Sequence, residues 1–214
     1  MQSGRNPSDV RLVAVSKKFS AERLREAYQA GVRVFGENYV QEFAEKQPHL
    51  RDLEAARFHL IGHLQSNKAR QACELFDVIQ TVDSERLLRR VDGAAAELGR
   101  TLEVLFEVKL SGEESKSGLR PDQVPDLLSA AAKCKHLRIS GLMTMPPWSD
   151  NPEESRPYFQ ELARLGHRYG LPQLSMGMST DFEVAVEEGA TIIRVGTALF
   201  GKRPKPPAQT SLPQ

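Results

Sequence analysis

Lys17 follows the apolar run Leu12-Val13-Ala14-Val15 with only Ser16 between them. Such a run reads as a strand, and a lysine just past its end stands where a (β/α)8 barrel presents its active face. An amine partly withdrawn from water there has a lowered pKa and becomes a usable nucleophile towards an aldehyde. A single lysine after a strand is more often a solvated loop residue, so Lys17 needs a neighbourhood that supplies a ligand. Two corners late in the chain offer one. In Ser175-Met-Gly-Met-Ser179 the sequence predicts Ser179 at a helix N-cap, with a hydroxyl and unpaired backbone N–H groups available to an anion. Gly196-Thr197 follows the last apolar run and opens another helical segment. Barrels commonly bind phosphate in the loops after their seventh and eighth strands. Arg194 lies between apolar neighbours in Ile192-Ile-Arg-Val195. If Ile193 and Val195 face the outer helices, its guanidinium points into the barrel and requires a carboxylate or a ligand acceptor. The residues alone leave both partners open.

Other patterns carry less. Gly196-Thr-Ala-Leu-Phe-Gly201-Lys202 matches the first seven positions of a P-loop, but Arg203 replaces the magnesium-binding hydroxyl and a Pro-rich segment follows instead of a long helix. His59 and His63 have no acidic partners at metal-ligand spacing, and His59 reads as a satisfied interior residue. No Ser–His–Asp arrangement is compelling. Cys73 and Cys134 are far apart and read as thiols in a reducing compartment. With 29 basic and 28 acidic residues intermixed, the chain lacks the basic stripe of a nucleic-acid binder. It also lacks the roughly 20-residue apolar run of a membrane helix. The cytoplasm is the expected compartment.

These residues need a scaffold, and the chain supplies a regular one. Eight short apolar runs read as strands: Arg11–Val15, Val32–Phe35, Phe58–Ile61, Val78–Val82, Leu102–Val108, Leu137–Leu142, Gln173–Ser175 and Thr191–Val195. Between them lie segments with helical period, such as Leu87, Leu88, Val91, Ala94, Ala95 and Leu98, ended by Gly99. Ser20 is placed to cap a helix running to Gly31, and Ser179 one running to Gly189. Strands alternating with helices make a parallel sheet. Eight such units in 214 residues fit a closed (β/α)8 TIM barrel better than a doubly wound sheet. The first strand also runs into Ser16-Lys17-Lys18 where a dinucleotide-binding fold needs glycines. The expected division is a short lead over 1–10, one barrel over 11–202 and a disordered Pro-rich tail over 203–214.

Seven blocks, in order from about Arg11 to Gly201, carry a family resemblance. They are Leu12–Lys17, Val34–Gln41, Phe58–Lys68, Glu114–Gly118, Gly141–Met143, Leu174–Ser179 and Arg194–Gly201. With them the chain resembles the pyridoxal-phosphate homeostasis protein family (YggS/PROSC type), a relative of the alanine racemase N-terminal barrel. The resemblance implies that Lys17 forms a Schiff base with pyridoxal 5′-phosphate. It implies that Ser179, Gly196 and Thr197 hold the phosphate, that Arg194 faces the pyridine nitrogen, and that Asn38 and Met176 line the ring. Phe19 stands where some relatives carry a second lysine. The family's first helix has little counterpart before Arg11, so the natural start is expected upstream, or one barrel-bottom helix is absent.

The implied site favours a binder over a catalyst. An arginine at the pyridine nitrogen disfavours its protonation and weakens the cofactor as an electron sink. A racemase also needs a base on each face of the substrate, one of them from a second domain for which the sequence after Gly201 is too short. The expectation is therefore a monomeric cofactor-buffering protein that delivers to apo pyridoxal-phosphate enzymes. The alternative is a racemase or lyase of low activity.

Overall fold

The computed structural model describes residues 4–112 and 117–201. The Pro-rich tail and most of the Glu114–Gly118 block lie outside the described residues. Strands and helices alternate throughout: β1 (Arg11–Val15), α1 (Ala21–Gln29), β2 (Val34–Glu37), α2 (Val40–Lys46), β3 (Arg57–Leu60), α3 (Ala69–Leu75), β4 (Val78–Val82) and α4 (Glu85–Glu97). The second half adds β5 (Leu102–Glu107), α5 (Val124–Ala131), β6 (Leu137–Met143), α6 (Arg156–Tyr169), β7 (Gln173–Ser175), α7 (Phe182–Glu187), β8 (Ile192–Val195) and α8 (Thr197–Phe200). All eight strands are parallel and each pairs with the next. β8 returns to β1 in the register Arg11↔Ile192 to Ala14↔Val195, so the barrel is closed. The doubly wound alternative is excluded.

Alternation along each strand divides the buried side chains between two cores. Ala14, Phe35, Leu60, Ile79, Val104, Phe106 and Leu174 point outward, into the core shared with the helices. Val13, Val78, Leu105, Met143 and Ile192 point inward and fill the lower bore. The helices close the outer core with their periodic faces. In α4 these are Leu87, Leu88, Val91, Ala94 and Ala95, with Ser84 capping through its hydroxyl to Leu87 N at 3.3 Å. Gly99 then takes φ +62°, which a helix C-terminus favours in glycine.

The expected edges of β3, β5, β6 and β8 move by one residue, and β2, α1 and α7 differ further. β2 begins two residues late and extends through Gly36 and Glu37, because the buried Glu37 is paired by Lys46 and so tolerated in the sheet. α1 has Ser20 at its N-cap, but no cap bond from the Ser20 side chain. α7 starts at Phe182 with Asp181, not Ser179, at the N-cap. The Asp181 carboxylate accepts from Met178 N at 2.7 Å and from the Ser155 hydroxyl at 2.8 Å, and this folds the Met178–Asp181 turn back on itself. In the N-terminal lead, Arg5 donates to Ala190 O at 2.5 Å and so ties the lead to the end of α7.

Candidate functional site

At the C-terminal mouth of the barrel is a cavity of about 310 Å³. Its wall brings together Lys17, Asn38, Ser179, Arg194, Gly196 and Thr197, six of the seven residues singled out from the sequence. Met176 is elsewhere. It continues the alternation of β7, with Leu174 and Met176 outward and Ser175 inward, and lies fully buried in the outer core. Met178, two residues on, takes a place in the wall.

Each wall residue is set by its element. Lys17 follows β1 in a turn closed by Phe19 N donating to Ser16 O at 3.1 Å. Asn38 follows β2 and is backed by Gly62. A Cβ at position 62 would lie 2.3 Å from Asn38 O, so only glycine allows the β3 loop to come this close. Ser179 and the Gly196–Thr197 corner meet across the mouth, where Gly196 N donates to the Ser179 hydroxyl at 3.4 Å. Gly177, at φ +91°, makes the bend that turns Ser179 toward that corner. Phe19, which lines the cavity, stacks on Phe200 of α8 with ring centroids 5.0 Å apart.

Arg194 is almost fully buried, and its neighbours settle how the barrel holds it. Ile193 packs in the outer core, which leaves Arg194 pointing inward. Nη1 donates to the Ser175 hydroxyl at 2.7 Å and Nη2 to Thr144 O at 2.9 Å. Its hydrogen-bond partners are therefore a hydroxyl and a carbonyl. Burial lowers its pKa to about 10, with Glu107 and Asp181 opposing through space, so the guanidinium stays charged near neutrality.

Beneath it a polar layer crosses the bore. Ser175 Oγ donates to Gln80 Oε1 at 2.6 Å, and Gln80 Nε2 lies 2.8 Å from His59 Nδ1. His59 is held near pKa 4, by burial first and then by the Arg11 charge, so it is neutral at physiological pH. The sequence marked His59 as a satisfied interior residue, and this is the arrangement found.

The sequence did not single out Glu107, at the end of β5. It is 4% exposed, and its Oε2 has no hydrogen-bond partner among the described residues. Burial, and secondarily the Asp83 charge, push its carboxyl up to about 7 against the pull of Arg194. It lines a second cavity of about 280 Å³, which shares Met145, Trp148 and Met178 with the first. The available signal was a carboxylate at the end of the apolar run Leu102–Val108.

The barrel and the wall that gathers a strand-end lysine with two hydroxyl-bearing corners define a class. The described residues form a (β/α)8 barrel of the family described as "Alanine racemase, N-terminal domain", whose profile matches residues 2–204. An alanine racemase from Clostridium difficile superposes with a TM-score of 0.72 over 92% of this chain and 53% of that one, at 15% identity, a likeness of fold. The particular family follows from nearer relatives. Proteins called pyridoxal phosphate homeostasis protein from Aquifex aeolicus and Escherichia coli are 41% and 42% identical, each over 94% of this chain and over 91% and 88% of their own lengths. The structure of PipY from Synechococcus elongatus with PLP bound superposes with a TM-score of 0.85 at 44% identity, over 94% of this chain and 96% of that one. The chain belongs to the pyridoxal phosphate homeostasis protein family.

Proposed function

We propose that this protein binds pyridoxal 5′-phosphate at the barrel mouth, tethered to Lys17 as a Schiff base, and takes part in intracellular cofactor homeostasis by buffering and delivery. The observation that carries the reading is the meeting of Lys17 with the Ser179 and Gly196–Thr197 corners in one cavity. The wall fits such a ligand. It offers an amine, two hydroxyls and the buried Oδ1 of Asn38, which has no partner among the described residues.

When bound, the cofactor supplies an aldehyde that condenses reversibly with amines. Lys17 Nζ would be the amine that holds it, reversibly and with loss of water. The Ser179 and Thr197 hydroxyls, with the backbone at Gly196, would hold the phosphate. Arg194, charged near neutrality, would face the ring nitrogen and disfavour its protonation, a setting that suits sequestration over carbanion chemistry. Met178 and Trp148 cover the outer side. Apo enzymes that use the cofactor are the proposed recipients. The described residues include no helix long and apolar enough to cross a membrane. With two unpaired cysteines, this supports a cytoplasmic protein, proposed to act as a monomer.

The test is spectroscopic. Wild type mixed with the cofactor and then freed of excess ligand keeps a yellow imine band, and Lys17→Ala treated alike does not. A yellow Lys17→Ala protein overturns the assignment. One observation favours a second reading, a slow racemase or lyase: Glu107, near pKa 7 beside the cavity, has the properties of a base. Keto-acid release or loss of optical activity from an amino-acid panel, well above free cofactor, would establish it.

A further inference from the structure

Lys18 is the one non-glycine residue at positive φ among the described residues, at +66°. It occupies the second central position of the Ser16–Phe19 turn, directly after Lys17. A turn with positive φ at that position ordinarily carries glycine or asparagine, since a side chain there is strained. Something outside the turn must hold it, and the hydrogen bonds show what does.

The main chain on both sides of Lys17 is bonded to one charged cluster on β2 and α2. On the near side, the Ser16 hydroxyl donates to Glu37 Oε1 at 2.9 Å and Lys46 Nζ donates to Ser16 O at 3.1 Å. On the far side, Lys18 N donates to Glu42 Oε1. Lys46 ties the two halves together, 2.8 Å from Glu37 and 2.6 Å from Glu42. The Glu37 side chain is fully buried and that of Lys46 is 10% exposed. None of the three lines the cavity. Buried ion pairs are poor devices for stability, because apolar residues of the same volume do as well or better. A linked cluster of three charges, two of them bonded to the peptides that flank one lysine and the third to the Ser16 hydroxyl, is better explained by the geometry it imposes.

We propose that Glu37, Glu42 and Lys46 are positioning residues that clamp the Ser16–Lys18 turn and so aim Lys17 into the cofactor cavity. This rests on the reading of Lys17 as the tether. The clamp holds a strained peptide so that the amine is presented before the ligand arrives, and the ordering cost is met during folding instead of binding. Glu37 acts through Ser16, Glu42 through the Lys18 N–H, and Lys46 locks both carboxylates.

The experiment compares two ligands, pyridoxal 5′-phosphate and pyridoxine 5′-phosphate, which has an alcohol in place of the aldehyde and cannot use Lys17 covalently. The variants are Glu42→Ala, Lys18→Gly, Glu42→Ala/Lys18→Gly and Lys17→Ala. Glu42→Ala is expected to bind the aldehyde about tenfold more weakly, with a slower rise of the yellow band, since the strain at Lys18 is no longer opposed. Its affinity for the alcohol stays within about twofold, a difference too small to represent a lost contact. Glycine relieves positive-φ strain, so the double variant recovers most of the lost aldehyde affinity, and Lys18→Gly alone binds as wild type. Equal loss of both ligands in Glu42→Ala, no loss of either, or no recovery in the double variant overturns the clamp. Lys17→Ala separates this from the underlying reading. If it still prefers the aldehyde to the alcohol, Lys17 is not the tether.

Discussion

Arg194 Nη1 donates to the Ser175 hydroxyl at 2.7 Å, so the charge at the barrel mouth is fixed by a residue whose own proton goes down into the bore. Replacing Ser175 by alanine removes an acceptor from Arg194 and a donor from Gln80 at once. Both groups are buried, and an unmet buried polar group costs about 1–3 kcal/mol. Ser175→Ala is expected to lower unfolding stability by about that amount in a urea titration, and to broaden the absorption of the bound cofactor as Arg194 loses its fixed position.

Glu107 and His59 give the protein a two-sided pH dependence. Glu107 is raised to about 7 in the folded chain from 4.5. The folded state thus binds the extra proton, and this contribution is complete below pH 4.5 and lost as pH rises through about 7. The full swing is about 3 kcal/mol, an upper bound for one such group. His59 is lowered to about 4 from 6.5, so its contribution is present above 6.5 and lost as pH falls towards 4. Glu107→Gln is expected to flatten the decline between pH 5 and 7 while leaving the acid limb, as read by chemical denaturation across that range.

The Ser179 and Gly196–Thr197 corners, proposed to hold the phosphate, are expected to contribute separately. Ser179→Ala and Thr197→Val each remove a hydroxyl from the wall. A hydrogen bond to a charged group contributes about 1.5–3 kcal/mol, which corresponds to roughly ten- to a hundredfold in affinity for the cofactor. Pyridoxal without phosphate should be insensitive to both changes. Equal effects on the two ligands would move the phosphate away from these corners.

Cys73 is fully buried, and burial pushes its thiol up to about 12. It should resist alkylation in the native protein and react only on unfolding, so iodoacetamide labelling followed by mass spectrometry serves as a clock for global opening.

Much of the barrel was legible in the sequence because most of its strands carry short runs of buried apolar residues. β1, β4 and β7 fall where the sequence placed them, and the rest lie within a few residues. The misplaced end of β2 has a physical cause. Glu37 reads locally as a loop residue, and its place in the sheet depends on Lys46, which only the fold brings near. The same holds for the α7 cap, where Asp181 competes with Ser179 and wins through its bond to Ser155 on a distant element. Lys17, Ser179, Arg194, Gly196 and Thr197 were readable because strand ends of a barrel converge by construction, whereas Asn38 came only with the family resemblance. Met176 was not, since one step of alternation decides between wall and core. Glu107 escaped because a carboxylate at the end of an apolar run looks like a surface residue until the barrel closes round it.

The polar layer in the bore has a direction. An arginine can only donate, so the Ser175 hydroxyl must point onward to Gln80 Oε1, which leaves the Gln80 amide nitrogen facing His59 Nδ1. The neutral imidazole is thereby forced into the tautomer with its proton on Nε2, chosen by a residue at the opposite end of the barrel. Nitrogen chemical shifts of this one ring therefore report from the floor on the state of Arg194 at the mouth.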